Sequence, residues 1–202
     1  MAEIHIGTSG WSYPSWRPDF YPAGADPTEF LGHYAQRFDT VELNTTGYRL
    51  PAEEQFHRWR EQVPDGFTFA VKMPLTRLDR VGTFVERAQA LGDRLGPIRI
   101  VLPSARDDGV LAFLTGSLDP SLHVVFDFRH PTWEGVEGVV RVNDLAAEPF
   151  RYVRMREPPY SDADLEELAA RLRPPAWVFF RHEDAPTAPT YASRLRVLLG
   201  KR

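Results

Sequence analysis

Two carboxylates and one amine stand at positions from which they could carry out acid–base chemistry. Glu42 lies between apolar residues in the alternating stretch 40–48, and Asp127 lies between phenylalanines in the stretch 123–130. Successive side chains of a strand point to opposite faces, so both carboxylates would point away from their apolar neighbours. Lys72 ends a third alternating stretch, 67–72. Since proton transfer needs a group poised by its surroundings, we predict that Glu42, Lys72 and Asp127 form the catalytic part of a pocket.

Seven further residues are predicted to bind the substrate, because they accompany these positions or stand at other strand ends. Arginine holds carboxylate or phosphate through its planar fork, and aromatic side chains could close over a small ring and exclude water. One of the seven, Asp144, is also a candidate acid–base group. The seven are Trp11, Tyr13, Asn44, Tyr48, Arg129, Asp144 and Arg154. Together they indicate a small anionic or sugar-like ligand, and lyase, isomerase or hydrolase chemistry.

Eight strand patterns, mostly separated by helical patterns, would position these residues. Such interleaving predicts a parallel sheet in an α/β fold. An open doubly wound sheet fits the same count, but the chain has no Gly-rich strand-to-helix turn for a dinucleotide or phosphate loop. Polar residues recur at the C-terminal ends of several strands, which is where a (β/α)₈ barrel builds its active site. We therefore predict that residues 1–202 form a single TIM-like (β/α)₈ barrel domain.

The predicted barrel is reduced in one place. The segment 131–138 separates the fifth predicted strand from the sixth, which is predicted over 139–144. So few residues cannot form a full helical crossover. We expect the helix between strands five and six to be missing or vestigial, and about six helices in all.

Composition narrows the classes of function. The 202 residues carry a formal net charge of -4, which gives no global electrostatic case for binding nucleic acid. Cysteine is missing from the sequence, which excludes disulfides, thiolate metal sites and cysteine nucleophiles. The N-terminus resembles no leader peptide, and no apolar run is long enough to span a bilayer. The sequence therefore predicts a cytoplasmic protein without membrane association.

Alternatives to catalysis remain open for the same residues. The acids and bases could form a mutually satisfied ion network inside the barrel, pairing Glu42 with Lys72, and Asp127 with Arg129 or Arg154. Lys72 could form a Schiff base, although an ion-paired lysine is commoner. A further alternative is a non-catalytic protein that binds a nucleotide, a phosphorylated ligand or single-stranded nucleic acid, with Trp11 and Tyr13 stacking on bases. Its candidate cations are Arg77, Arg80, Arg154, Arg156 and Arg181.

No metal site is predicted. The six histidines show no paired ligand spacing. His130 and His182 stand at strand ends and could still join Glu42 or Asp144 around a divalent ion, but a solvated or capping histidine is the commoner explanation.

Four motifs, in this order, resemble those of the domain of unknown function 72 family, also called YecE-like. They are residues 7–13 (GTSGWSY), 41–51 (VELNTTGYRLP), 67–72 (FTFAVK) and 126–130 (FDFRH) with Trp133. The resemblance implies a TIM-like barrel and no settled reaction or cofactor. The chain departs from the family pattern at Arg77, Val101, Asp127, Arg156 and Arg181, where the family usually has histidine, glutamine, glutamate, histidine and asparagine. This indicates a shortened and divergent member.

Overall fold

The computed structural model describes residues 3–47, 50–73, 75 and 78–200. Seven strands occur in this part of the chain, namely β1 (Ile4–Thr8), β2 (Thr40–Leu43), β3 (Thr68–Met73), β4 (Leu95–Leu102), β5 (Val124–Phe128), β6 (Arg151–Met155) and β7 (Ala176–Phe180). The α-helices are α1 (Phe30–Ala35), α2 (Glu53–Glu61), α3 (Val81–Ala88), α4 (Asp108–Ser117), α5 (Asp162–Arg171) and α6 (Thr187–Leu198). Among the described residues, none of these helices is long and apolar enough to cross a membrane.

The strands form two parallel sheets. One has the order β1–β7–β6 and the other the order β2–β3–β4–β5. Two isolated parallel bridges, from Phe126 to Arg141 and from Val142 to Tyr152, connect β5 to β6 through the segment between them. All neighbouring strands therefore run in the same direction, and their C-terminal ends lie on one side of the molecule. An α/β fold with parallel sheets is confirmed.

The prediction of the sixth strand over 139–144 is wrong: this segment contributes only the two bridges. Asn143 has a φ of 66°, and this left-handed conformation ends the extended run. Its side chain takes over the pairing, because Oδ1 accepts a hydrogen bond from the Arg154 amide at 2.7 Å and Nδ2 donates to the Arg154 carbonyl at 3.3 Å. Residues 129–150 are all described, and their helical structure is the 3-10 helix Pro131–Trp133. The expected loss of the helix is therefore confirmed.

β1 and β2 are neighbours without a backbone ladder in the described residues. The hydroxyl of Tyr34, on α1, joins them by accepting from the Thr8 amide at 2.8 Å and donating to the Thr40 carbonyl at 3.0 Å. Gly7 allows this close approach, since a Cβ there would lie 2.0 Å from the Thr40 carbonyl oxygen. The two sheets thus meet here through a side chain.

Alternation along the strands separates two packed regions. Phe69 and Val71 of β3 belong to the large core between the sheets and the helices, whereas Ala70 belongs to a smaller cluster on the other face. In β7, Val178 likewise belongs to the large core, whereas Trp177 and Phe179 belong to the smaller cluster. The smaller cluster consists of Ala70, Val125, Val140, Ala147, Phe150, Tyr152, Trp177 and Phe179. This inner face also carries the charged residues described next.

Candidate functional site

An arginine that the sequence analysis did not select lies at the centre of the inner face. Arg99 of β4 is 2% exposed and stands between the two predicted carboxylates. Its Nη1 donates to Asp127 Oδ2 at 2.6 Å, and its Nη2 lies 3.2 Å from Glu42 Oε1. The same Nη2 donates to Asn44 Oδ1 at 2.8 Å. Glu42, Asn44 and Asp127 are therefore brought together, as predicted, but through Arg99.

Glu42 is fully buried and both its oxygens are occupied. Oε2 accepts a hydrogen bond from the Tyr152 hydroxyl at 2.7 Å and lies 2.8 Å from Arg154 Nε. Burial alone would raise the pKa of Glu42, but Arg99, Arg154 and the Tyr152 hydroxyl together outweigh burial and lower it. Glu42 is consequently ionised at neutral pH and cannot serve there as a general acid. A role as a base stays a prediction.

Asp127 accepts hydrogen bonds from three guanidinium groups. Besides Arg99, its Oδ2 accepts from Arg129 Nη2 at 3.0 Å and from Arg156 Nη2 at 2.8 Å. The alternative of an ion network thus describes Glu42 and Asp127 well. The pairing of Asp127 with Arg129 was expected, whereas Arg99 and Arg156 are partners that the sequence did not indicate. Arg154 pairs with Glu42 rather than with Asp127.

A cavity of about 490 Å³ opens above this network at the C-terminal ends of the strands. Its lining includes six cationic residues, and among the described residues that line it there is no aspartate or glutamate. The remaining lining residues are mostly polar. The cations are Lys72, Arg99, Arg129, Arg154, Arg156 and Arg181, and the other residues are Ser9, Tyr13, Asn44, Thr45, Val101 and His182. We call this the cationic cavity.

Lys72 borders the cationic cavity from the end of β3, in register with Arg99. Burial and the neighbouring Arg99 lower the pKa of Lys72, and they outweigh the opposing effect of Glu42. The predicted catalytic trio therefore divides into two buried carboxylates and a lysine that borders the cavity.

Of the predicted aromatic residues, Trp11 and Tyr13 are described, and Tyr13 lies between two neighbouring cavities. Tyr13 lines the cationic cavity, stacks on His182 with ring centroids 4.4 Å apart, and donates to the Ser9 carbonyl at 2.8 Å. Burial and Glu42 raise the pKa of Tyr13 to about 12, so its hydroxyl remains protonated. Trp11 packs edge-on against Trp59 and shares a neighbouring cavity of about 750 Å³ with Tyr13, Glu42 and Asn44. Tyr48 lies outside the described residues.

Asp144 shares a cavity with Asp127 but does not line the cationic cavity. Its Oδ2 accepts from Arg141 Nη2 at 2.9 Å and its Oδ1 from the Ala146 amide at 3.0 Å. The hydrogen bond from Arg141 is the main reason that the pKa of Asp144 is lowered. It lines a separate cavity of about 920 Å³, to which Arg156 and Asp127 also contribute. The turn that follows Asn143 directs Asp144 towards this cavity.

The histidines do not gather around the predicted carboxylates. His182 lines the cationic cavity, and the Nδ1 of His130 lies 2.9 Å from the Thr132 hydroxyl. Within the described ranges, the potential metal ligands that do cluster are Glu3, His5 and Asp39, near the N-terminal ends of β1 and β2. They lie at the other end of the strands from the cationic cavity.

Comparison with known proteins identifies the family. A family model described as "Protein of unknown function DUF72" matches residues 5–148, which is more than half of the chain. The chain belongs to the DUF72 family. The resemblance inferred from the four motifs is therefore confirmed.

Two curated relatives match this chain over about half of their own length. The UPF0759 protein YecE of Escherichia coli K12 is 34% identical over 140 residues, covering 63% of this chain and 49% of the relative. The same protein from Escherichia coli O157:H7 matches equally. The chain thus spans about half the length of these curated relatives.

Solved DUF72 structures share the fold. A crystal structure of a DUF72 family protein from Enterococcus faecalis V583 at 3.10 Å resolution superposes with a TM-score of 0.79 and 13% identity, covering 99% of this chain and 96% of that one. A 2.52 Å structure of a DUF72 protein from the same organism gives a TM-score of 0.70 and 12% identity, covering 100% and 99%.

The sequence did not lead us to predict three residues of the ion network, namely Arg99, Tyr152 and Arg156. Arg99 lies between isoleucines in a strand, which is the alternation that drew attention to Glu42, so the same test could have found it. Tyr152 lies in β6 between Arg151 and Val153, so alternation with apolar neighbours gave no such signal for it. Arg156 entered only as a candidate nucleic-acid contact.

Proposed function

We propose that this protein binds a small anionic ligand, carrying phosphate or carboxylate, in the cationic cavity. The observation that carries the proposal is the lining of that cavity, which combines one lysine and five arginines with no carboxylate among the described lining residues. Fixed cationic donors that converge on a small space favour an anion over a neutral ligand. The volume of about 490 Å³ suits a metabolite.

Hydrogen-bonding capacity in the wall supports the same proposal. Among the described residues, the buried Nε groups of Arg99 and Arg156 have no hydrogen-bond partner. Leaving a buried charged donor unpaired costs more than leaving a neutral one. Ser9, Tyr13 and Asn44 add polar groups to the wall. An anion bound among these arginines would supply acceptors.

We infer that a reduced TIM-like barrel supports this cavity. In support, the seven strands are parallel, the two bridges join β5 to β6, and Tyr34 joins β1 to β2. A site at the C-terminal ends of the strands is the usual location in such barrels. Lyase, isomerase or hydrolase chemistry on the bound anion stays a prediction.

The proposal is tested by measuring thermal stability and calorimetric binding with inorganic phosphate, against chloride at equal ionic strength. Ligand binding stabilises the folded state by about 2.7 kcal/mol when its concentration is 100 times Kd. We expect phosphate to stabilise the protein. Arg129→Met and Arg181→Met should each weaken binding by about tenfold, the effect of one charge-assisted contact.

A matched control is Arg106→Met, because Arg106 is exposed and pairs with Asp108 at 2.7 Å away from the cationic cavity. It should bind phosphate like the unsubstituted protein. The proposal fails if phosphate acts no differently from chloride, or if all three variants respond alike.

A further inference from the structure

Lysine is rare in this chain, and one of its two lysines borders the cationic cavity. The sequence has 24 lysines and arginines, and only Lys72 and Lys201 are lysines. Every other cationic residue that lines the cavity is an arginine. Arginine supplies charge and a bidentate fork but does not lose its proton in proteins, whereas lysine can. Lys72 therefore offers chemistry that the surrounding arginines cannot provide.

The surroundings of Lys72 favour the neutral amine. Burial is the largest cause of its lowered pKa, and Arg99 and Arg154 add to it, while Glu42 and Asp127 oppose it less strongly. Desolvation and a neighbouring cation are the two devices that turn a lysine into a nucleophile. The lysine also lies on a strand end, where its backbone carbonyl accepts from the Thr46 hydroxyl at 2.7 Å. Its position in the wall is therefore fixed from the backbone.

We propose that Lys72 forms an imine with the carbonyl group of a small anionic aldehyde or ketone, whose phosphate or carboxylate is held by the arginines of the cationic cavity. This proposal rests on the anion binding proposed above and specifies the class of ligand. Placing the anion on Arg129, Arg154 and Arg181 would bring the rest of a short ligand towards Lys72, because all four residues line one cavity of about 490 Å³.

The reaction balances without another reactant. The lone pair of Nζ attacks the carbonyl carbon, and the carbon–oxygen π electrons move to oxygen to give a carbinolamine. The carbinolamine loses its oxygen as water, whose two hydrogens correspond to the two that leave the amine. The product is the C=N bond and one water molecule. His182 lines the same cavity, and burial and Arg181 lower its pKa, so a neutral imidazole is available to move a proton to the departing oxygen.

Pyridoxal 5′-phosphate is a suitable probe because it carries an aldehyde and a phosphate on one small molecule. The folded full chain is incubated with the probe, the imine is reduced with borohydride, and the labelled lysine is identified by peptide mass spectrometry. Lys201 provides an internal reference. We expect Lys72 to be labelled at least about tenfold faster than Lys201, and inorganic phosphate to suppress only the labelling of Lys72.

Pyridoxal without the phosphate is the matched probe, and Lys72→Arg and Lys72→Met are the matched variants. Pyridoxal should label Lys72 about tenfold more slowly than the phosphorylated probe does. Lys72→Arg keeps the positive charge but removes the primary amine, and it should lose the fast labelling. Lys72→Met loses both the amine and the charge, so comparing the two variants by labelling and by calorimetric phosphate binding separates the two losses, and circular dichroism checks that both variants fold.

The outcomes distinguish the two proposals. If phosphate binds but Lys72 reacts no faster than Lys201, the imine is overturned and anion binding stands. If phosphate does not bind and the two pyridoxal probes label Lys72 equally, the anionic class of ligand is overturned, and with it both proposals as stated. Fast, phosphate-sensitive labelling of Lys72 supports both.

Discussion

The inner face of the two sheets ends differently at its two ends. At the N-terminal ends of the strands, Trp177 stacks on His5 with ring centroids 5.1 Å apart and contacts the rings of His123 and Phe150 at 5.3 and 5.6 Å. We call this the aromatic end. At the C-terminal ends, the same faces of the strands carry Glu42, Arg99, Asp127 and Arg154, which we call the charged end. Alternation places both sets of residues, but only the charged end borders the cationic cavity.

The two ends differ in their balance of charge. Ring contacts and a hydrogen bond from Trp177 Nε1 to Thr68 Oγ1 fill the aromatic end. The charged end holds two carboxylates against a larger number of cations. Ion pairs alone would require a balanced network, so ion pairing does not account for the surplus of positive charge. It is suited to an anionic ligand.

The largest expected effect comes from Arg99→Leu. Removing Arg99 leaves Glu42 and Asp127 without their shared partner in a buried site. We expect a loss of about 3–5 kcal/mol in the free energy of unfolding, as for a broken buried ion pair. Urea denaturation at neutral pH measures this loss.

Arg106→Leu is the control for that measurement, because it breaks an exposed pair with Asp108 and should change stability by about 0–1 kcal/mol. If Arg99→Leu were as stable as this control, the charged end would contribute nothing to folding, and the comparison between the two ends would have to be abandoned.

The next effect is expected from Glu42→Gln, and it depends on pH. Glutamine keeps the shape but loses the charge that Arg99 and Arg154 contact, which should cost about 1.5–3 kcal/mol at pH 7. The pKa of Glu42 is lowered in the folded protein from its ordinary value of 4.5. Its contribution is therefore fully present above pH 4.5 and is lost as the pH falls through the lowered value.

Unfolding free energies of the two proteins, measured from pH 7 down to the acid limit of folding, provide the check. The difference between them should stay constant above pH 4.5 and shrink below it. A difference that grew on acidification would show that the folded state favours the protonated carboxyl, contrary to the ion pairs described here.

Sequence alone predicted the position of the charged end but not its connections. Glu42 and Asp127 meet because each alternates with apolar residues and because parallel strands end together. Asp127 pairs with Arg129, as expected. Because alternation indicates a face and not a distance, it did not indicate that Arg154 reaches Glu42 or that Arg99 reaches both carboxylates. Only the packed structure shows which long side chains meet.

The predicted sixth strand and Asp144 show a second limit of sequence patterns. The segment 139–144 alternates like a strand, but the positive φ of Asn143 ends the strand and its amide group pairs with β6 instead. This choice rests on a local hydrogen bond that hydrophobic periodicity does not encode. Asp144, one residue later, is turned towards Arg141 as a result.

The smallest expected effect tests the aromatic end. Thr68→Val removes the hydroxyl that accepts from Trp177 Nε1 at 3.2 Å and donates to Thr40 Oγ1 at 3.0 Å. Because this hydrogen bond is only partly buried, we expect a loss of about 0.5–1.5 kcal/mol, measured by urea denaturation at pH 7.

Stabilisation by inorganic phosphate should remain that of the unsubstituted protein, since Thr68 begins β3 whereas Lys72, near its other end, borders the cationic cavity. Thr115→Val, on the exposed side of α4, is the matched control and should change stability by less than about 0.5 kcal/mol. If Thr68→Val also removed the response to phosphate, the two ends would be coupled through β3. Ligand binding would then depend on the aromatic packing as well as on the arginines.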